Sequence, residues 1–291
     1  MNIFISHFSA LNFYRNARAN NILEIVNNKG NNILGSDIYT PEVNKWTIQL
    51  TNYQPNSKQK TTTKDITKQN IPCLDQDCKI DILVARKSNL NNTNNVRYHV
   101  CTNSLPRYSF IKVANGICVS SPELLFFQLS NIYSIEEMMY IGMELCGTYT
   151  IHKTDYSNFY SNILPLTTVD RINRYLSSLK NYIKYTNGLL KAMEAAKCLE
   201  NSAASPRESM LYLMLCAPRK YGGYGIKGLV LNHKIKLSQK AANILGYKIM
   251  RPDLCNPANK IAIEYDSTAY HENAEQNKHD KLRLNALHND G

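Results

Sequence analysis

The chain has 291 residues, of which 43% are hydrophobic and 20% charged, so wholesale disorder and collagen-like repeats are excluded. This length predicts one large domain or two. The most apolar stretch, residues 124–146, is interrupted by Glu136, Glu137 and Glu144, so no membrane-spanning helix is expected. Residues 1–15 lack the charged and apolar regions of a signal peptide, which predicts a cytoplasmic protein.

Basic residues are in excess, with 34 Lys and Arg against 23 Asp and Glu and a net charge of +11. Such a charge suits a polyanionic partner, although many basic proteins never contact nucleic acid. The eight cysteines contain no C-x2-C pair, and Cys73 and Cys78 are the only close pair. We therefore expect reduced thiols that fill cores rather than a structural zinc site.

The first half of the chain predicts a mixture of strands and loops. Residues 53–72 and 88–95 carry almost no apolar side chain, which predicts solvated loops. A short helix is expected to open at residues 9–14, and strands are expected at 81–85 and 96–102.

A hairpin and four helices are predicted next. The hairpin joins residues 110–113 and 117–120 through Asn115-Gly116, since this pair supplies the positive φ of a tight turn. The helices are indicated by capping signals or helical apolar spacing, at Ser121-Pro122, Ser134-x-x-Glu137, Thr167-Thr168 and residues 188–200.

The segment Gly116–Leu129, G-I-C-V-S-S-P-E-L-L-F-F-Q-L, resembles a strand-then-helix segment of AbiEi-type abortive-infection antitoxins. The alternative is that Gly116, Pro122 and Glu123 serve only turn and capping chemistry. The small residues 201–204 then mark the expected boundary between an N-terminal domain, residues 1–200, and a C-terminal domain, residues 201–291.

The C-terminal domain is predicted to begin with a helix that has Ser205 as N-cap and Pro206 at its first position, which places Glu208 in the first turn. Strands are expected at residues 229–237, 249–254 and 260–266. The glycine-rich residues 221–225 lack the lysine and spacing of a phosphate-binding loop, so we interpret them as a flexible connector.

Strand alternation places Ala262, Glu264 and Asp266 on one face. A four-residue turn at 256–259 would pair Cys255 with Lys260 and Asp253 with Ala262, and so bring Asp253 onto the Glu264 face. Three carboxylates on one surface repel each other unless a cation lies among them, and hard divalent ions prefer oxygen ligands.

These residues resemble the P-D-(D/E)-x-K restriction-endonuclease-like superfamily, in particular the branch related to very-short-patch repair endonucleases. The likeness covers about 90 residues, and order and spacing both hold. The matching positions are Ser205-Pro206, Glu208, Leu211, Asp253, Ile263-Glu264-Tyr265-Asp266, His271, Asp280, Arg283, Leu287 and Gly291.

The resemblance implies an α/β (α+β) fold with a mixed sheet flanked by helices at the C-terminus, behind a mixed strand and helix N-terminal domain. It also implies Mg2+ or Mn2+ bound by Asp253, Glu264 and the carbonyl of Tyr265. Glu208 would hold a second ion or a metal-bound water.

Two departures from the family affect this interpretation. Asp266 stands where the family has lysine, and His271 is the candidate proton acceptor in its place. The sequence ends where such a fold would add its last strand, so we expect that strand to be missing.

The expected function is metal-dependent cleavage of DNA, in phage defence or DNA repair. Residues 1–200 would recognise the substrate, a protein partner or a second copy of the chain, and no membrane is involved. The alternative is a non-catalytic DNA-binding regulator or antitoxin of the abortive-infection kind that uses a nuclease-like fold. In that case Asp253 and Glu264 would be solvated carboxylates matched to Lys260 and Arg251.

Overall fold

A computed structural model describes residues 2–20, 23–26, 46–51, 55, 79–86, 95–114, 116–152, 155–184 and 186–265. Within these residues the protein is mixed α/β, as expected. The expected loops at 53–72 and 88–95 lie outside the described residues, except Pro55 and Asn95.

A seven-stranded mixed sheet forms the N-terminal part of the protein. Its spatial order is β2-β3-β6-β7-β1-β4-β5, with β2 parallel to β3, β1 parallel to β7, β4 parallel to β5, and the other pairs antiparallel. The strands are β1 (Ile3–Ile5), β2 (Leu23–Val26), β3 (Trp46–Thr51), β4 (Ile80–Val84), β5 (Val96–Val100), β6 (Phe110–Ala114) and β7 (Ile117–Ser120). The predicted hairpin and both predicted strands are therefore confirmed to within two residues.

Helices pack around this sheet and continue the core. They are α1 (His7–Ala19), α2 (Pro122–Leu129), α3 (Ile135–Cys146), α4 (Val169–Leu179) and α5 (Asn187–Ala196). The sequence located the starts of α2, α3 and α4 because capping residues are local signals: Ser121 accepts from the amide of Leu124, and Ser134 forms a complete capping box with Glu137. Helix α1 is longer than the predicted opening at residues 9–14.

A second, two-stranded sheet follows helix α3. It consists of β8 (Thr150–His152) and β9 (Asp155–Tyr160), which pair antiparallel. Neither strand was predicted from the sequence.

Buried ion pairs tie the helices together. The Nη2 atom of Arg15 lies 2.7 Å from the carboxylate of Glu144, and both side chains are buried. Glu123, from the antitoxin-like segment, lies 3.0 Å from the guanidinium of Arg171 and accepts a hydrogen bond from Thr167 at 2.6 Å. Glu123 therefore makes tertiary contacts, which neither the antitoxin resemblance nor the turn and capping interpretation of its segment predicted.

The C-terminal part contains α6 (Pro206–Cys216), a 3-10 turn (Arg219–Tyr221), α7 (Gln239–Leu245), and the short strands β10 (Val230–Leu231), β11 (Ile235–Lys236), β12 (Ile249–Met250), β13 (Leu254–Asn256) and β14 (Ile261–Ile263). The order β10-β13-β14 forms an antiparallel sheet, and β11 pairs with β12. The mixed sheet thus lies in the N-terminal part, while the C-terminal sheet is antiparallel up to Ile263.

Three strand predictions in this part were too long. The expected strand at 229–237 is two strands broken at residues 232–234, and the expected strand at 249–254 is broken at 251–253. The expected strand at 260–266 is regular only from Ile261 to Ile263. Each break occurs where the backbone turns to make side-chain contacts, which alternation of residue types does not reveal.

The glycine-rich segment caps helix α6, so its interpretation as a flexible connector was wrong. The amides of Tyr224, Gly225 and Ile226 donate to the carbonyls of Met214, Ala217 and Leu215 at 2.8 to 3.0 Å. These bonds satisfy carbonyls at the end of the helix that have no partner within it.

One hydrophobic core contains buried residues from both sides of position 200, including Leu199, Leu213 and Leu254. The division at residue 200 remains a prediction. No helix in the described residues combines the length and apolar composition that crossing a bilayer requires. Cys73 and Cys78 lie outside the described residues, and the six described cysteines are free thiols.

Candidate functional site

The hairpin of β13 and β14 sets the positions of Asp253 and Glu264. Its register pairs Cys255 with Ala262 and Asn256 with Ile261, so the predicted pairing of Cys255 with Lys260 and Asp253 with Ala262 was wrong by two residues. The turn occupies residues 257–260, and Lys260 adopts a φ of +52° at its end. A shift of two residues leaves every side chain on its expected face, because the strand period is two. Continued past the strand ends, the observed register places Asp253 opposite Glu264.

The carboxylates of Asp253 and Glu264 each accept from a backbone amide of the opposite strand end. The amide of Tyr265 donates to Oδ2 of Asp253 at 2.7 Å, and the amide of Asp253 lies 3.4 Å from Oε2 of Glu264. Among the described residues, no group donates to Oδ1 of Asp253. The arrangement therefore brings two acidic residues together at one end of a short hairpin and leaves at least one carboxylate oxygen available.

Glu208 reaches the same region from the first turn of helix α6. Its Oε1 accepts from the hydroxyl of Ser205 at 3.0 Å and its Oε2 from the amide of Ala204 at 2.9 Å. Burial raises the pKa of Glu208, the negative charge of Asp253 raises it further, and the hydrogen bonds oppose both effects. Asn232 bonds both to the carboxylate of Glu208 and to the carbonyl of Asp253, which places the two acidic residues in the same region.

Asn232 links the helix to the strand and was missed by the sequence analysis. Its Nδ2 donates to Oε2 of Glu208 at 2.7 Å and to the carbonyl of Ser202 at 2.8 Å, and its amide donates to the carbonyl of Asp253 at 3.0 Å. Its φ of +50° lies in the left-handed region, which asparagine tolerates better than most residues. The polar Asn232-His233-Lys234 interruption of an apolar segment was the available signal.

Arg207 brings a positive charge beside the hairpin. Its Nη1 donates to the hydroxyl of Tyr265 at 2.9 Å, and its guanidinium carbon lies 5.6 Å from the centre of the tyrosine ring. Tyr265, whose carbonyl was predicted as a metal ligand, is therefore fixed at its amide by Asp253 and at its hydroxyl by Arg207.

Residues 201–265 are strongly basic apart from this site. Their only acidic residues are Glu208, Asp253 and Glu264. All ten of their basic residues are exposed: Arg207, Arg219, Lys220, Lys227, Lys234, Lys236, Lys240, Lys248, Arg251 and Lys260. The acids of this segment are thus concentrated in one region, while its positive charges face solvent.

Asp266 and His271 lie outside the described residues, as does the predicted helix that carries Asp280 and Arg283. Their roles remain predictions. In the part of the chain that the structure describes, no cluster of three or more His, Cys, Asp or Glu side chains could hold a metal ion. Of the predicted side-chain ligands, the structure describes Asp253 and Glu264, and their role in binding a metal ion remains a prediction, as does that of Asp266.

Comparison of the chain with protein-family models, curated proteins and solved structures gives no match.

Proposed function

We propose that the protein is a metal-dependent DNA endonuclease with a restriction-endonuclease-like C-terminal domain. One observation carries the proposal: in a segment with ten exposed basic residues, two of the three acidic residues, Asp253 and Glu264, face each other across one hairpin, and Asn232 links the third, Glu208, to the backbone of Asp253. Like charges placed together cost free energy, so the pair of Asp253 and Glu264 favours a bound cation. The surrounding positive surface favours a polyanionic substrate.

The order of elements supports the same proposal. Helix α6 carries Glu208 in its first turn, and the hairpin of β13 and β14 carries Asp253 and Glu264. Asp253 directly precedes β13 and Glu264 directly follows β14, an order that supports the proposed resemblance to P-D-(D/E)-x-K nucleases.

The donor atoms fit Mg2+, or Mn2+ in its place. Asp253 has an available Oδ1, and Glu264 and the carbonyl of Tyr265 would supply further oxygens. Mg2+ needs few protein ligands because it usually keeps several water molecules. When bound, the ion would activate a water molecule and neutralise charge that develops on the scissile phosphate.

Side chains of the protein would position the metal site, bind the DNA and accept a proton. Glu208 accepts hydrogen bonds at both oxygens. In this proposal it positions Asn232, which in turn positions the backbone of Asp253. Glu208 would also act on a metal-bound water. Exposed lysines and arginines would bind the DNA backbone. His271 would accept the proton of the attacking water.

A non-catalytic DNA-binding regulator is the second candidate, and one observation favours it. Both oxygens of Glu208 already accept from protein groups, which suits a structural role, and the motif lysine is absent. A regulator of this kind would use the same basic surface without cutting.

The deciding experiment is cleavage of supercoiled plasmid by the purified full-length protein with Mg2+, with Mn2+ and with a chelator. We expect nicking that requires the metal and is abolished by Asp253→Ala. DNA affinity should be unchanged or higher in that variant, because removing a carboxylate lowers repulsion toward phosphate. His271→Ala should lower the rate by roughly 10^2, the usual contribution of a general base.

Asp170→Ala is the matched control, since Asp170 is an exposed helical aspartate whose ion pair in the described part of the chain is with Arg174. It should cut like wild type, and all variants should melt like wild type. Tight DNA binding with no cleavage under any metal would reject the enzyme and support the regulator.

A further inference from the structure

A pocket of about 470 Å3 in the N-terminal part shares no residue with the carboxylate site. It lies between the end of strand β5, helix α2 and the start of helix α5. Its volume is within the usual range for small-ligand sites. Two histidines, His7 and His99, form part of its wall.

His7 is held in a strained conformation at this wall. It has a φ of +50°, an unfavourable value for a residue other than glycine, and such strain is concentrated at functional sites. Its ring stacks on that of His99 with centroids 3.5 Å apart and planes 16° apart. Its Nδ1 lies 3.0 Å from the hydroxyl of Ser6, and no group in the described part of the chain bonds its Nε2.

Asp81 fixes the second ring of the stack. Its Oδ1 lies 2.7 Å from Nε2 of His99, and its Oδ2 accepts from the amide and the hydroxyl of Ser9 at 3.2 Å. Asp81 is almost fully buried, so its carboxylate is not itself exposed to the pocket. The rings are therefore pre-positioned, and this lowers the entropy cost of binding a ligand.

Gln128 adds a second buried polar group with spare hydrogen-bonding capacity. It is 4% exposed, and its Oε1 accepts from the amide of His7 at 3.3 Å. Within the described residues, nothing accepts from its Nε2. This nitrogen is not one of the buried polar atoms that lack a partner, so it is accessible from the pocket and can donate to a polar ligand there.

The chemistry of the lining narrows the ligand class. No lysine, arginine, aspartate or glutamate is among the described lining residues. Burial is the main cause that lowers the pKa of His7 to about 3, and the charge of His99 lowers it further, so His7 is neutral. His99 also lines the pocket, and its Nε2 lies 2.7 Å from Oδ1 of Asp81, which balances a positive charge on this ring. The lining therefore offers a charged ligand no unbalanced counter-charge, and this favours an uncharged ligand. The carboxamides of Asn103, Gln128 and Asn131 and the hydroxyls of Thr102 and Thr186 exclude a purely apolar ligand. The rings of His7, His99, Tyr98 and Phe127 favour a planar ligand.

We propose that this pocket binds an uncharged heterocyclic base, a purine or pyrimidine, stacked on its rings and hydrogen-bonded to Gln128 and Nε2 of His7. Aromatic and carboxamide side chains recognise extruded nucleobases by the same two contacts. The base can come from a free nucleoside or from an unpaired position in single-stranded DNA. The proposal does not require that the protein cleave DNA.

Calorimetric titration of the full-length protein with adenosine, guanosine, cytidine and thymidine tests the pocket. We expect at least one nucleoside to bind, and Phe127→Ala to weaken binding by about tenfold, the size that loss of one base-aromatic stack gives. Asn103→Leu, a change in an exposed lining residue, should weaken it as well without affecting the fold. Ile132→Ala, an exposed neighbour outside the lining, should bind like wild type.

Competition identifies the source of the base. If the pocket takes a base from DNA, a short single-stranded oligonucleotide should displace the nucleoside and an abasic version should not. If it takes a free nucleoside, neither oligonucleotide should compete. Failure of all four nucleosides and of the oligonucleotide to bind, or binding that neither Phe127→Ala nor Asn103→Leu changes, would overturn the proposal.

Discussion

At the residue scale, His7 makes stability depend on pH. Its pKa is about 3 in the folded protein, against an ordinary value of 6.5. Burial and the charge of His99 lower this pKa, while the charge of Asp81 raises it. The unfolded chain therefore takes up this proton first as the pH falls. The contribution of His7 is fully present above about pH 6.5 and is lost progressively down to pH 3.

We therefore expect the free energy of unfolding to fall by about 2 kcal/mol between pH 7 and pH 5 on account of this group. His7→Asn should remove most of that dependence, since asparagine tolerates the left-handed backbone. Urea denaturation at several pH values measures it. His233→Asn, a change in an exposed histidine, should leave the pH dependence unaltered, and an unchanged slope in His7→Asn would contradict the assignment.

Asn232 provides a second residue-scale prediction. Asn232→Ala and Asn232→Gly both remove the hydrogen bonds to Glu208 and Ser202, but only alanine must strain to adopt a φ of +50°. Alanine should therefore be less stable than glycine by about 1 kcal/mol. Equal stability of the two variants in denaturant titrations would show that the left-handed backbone does not matter there.

The same residue shows where the sequence was informative. The alternation of residue types in 260–266 was enough to place Asp253 and Glu264 on one face of the hairpin. The predicted register was wrong by two residues, and an error of two leaves each side chain on the same face. It could not reveal Asn232, whose role depends on a left-handed backbone and on contacts to residues 24 and 30 positions earlier in the chain. Nor could it identify the pocket histidines, which are brought together from two strand ends.

At the element scale, helix starts were well predicted and strand lengths poorly predicted. N-caps at Ser121, Ser134, Thr168 and Ser205 are short-range signals, and each side chain accepts the expected amide hydrogen bond. The short C-terminal strands end where side-chain hydrogen bonds, such as those of Asn232 and Asp253, replace the hydrogen bonds between strands. Helix α7 was missed, although Ser238 and Gly246 bound it with standard cap residues.

The cap on helix α6 gives an element-scale prediction. A Cβ on Gly223 would lie 2.1 Å from the carbonyl oxygen of Ala217, which is backbone and cannot yield easily. Gly223→Ala should therefore cost about 3 kcal/mol, near the upper end for overpacking. Gly222→Ala is the control: its φ is +83° but its Cβ would meet open space, so about 1 kcal/mol is expected. Similar midpoints for the two variants in thermal melts would refute the packing argument.

At the scale of the whole molecule, charge distribution predicts how DNA binding responds to salt. With ten exposed basic residues in 201–265, we expect binding that weakens roughly 10^2- to 10^3-fold between about 50 and 200 mM salt, as a handful of phosphate contacts would give. Lys234→Gln should lower the salt slope by about one contact, measured by fluorescence anisotropy. Lys184→Gln, outside that segment, should leave the salt slope unchanged. Equal effects of Lys234→Gln and Lys184→Gln on the slope would argue against a localised DNA surface.

The most direct test of the central claim, that Asp253 and Glu264 form a metal centre, is a titration of the full-length protein with Mn2+ monitored by electron paramagnetic resonance. We predict one ion bound per chain, with affinity lowered at least roughly tenfold by Asp253→Ala and by Glu264→Ala, and unaltered by Asp170→Ala. Absence of Mn2+ binding by wild type, or equal binding by wild type and both site variants, would contradict the account.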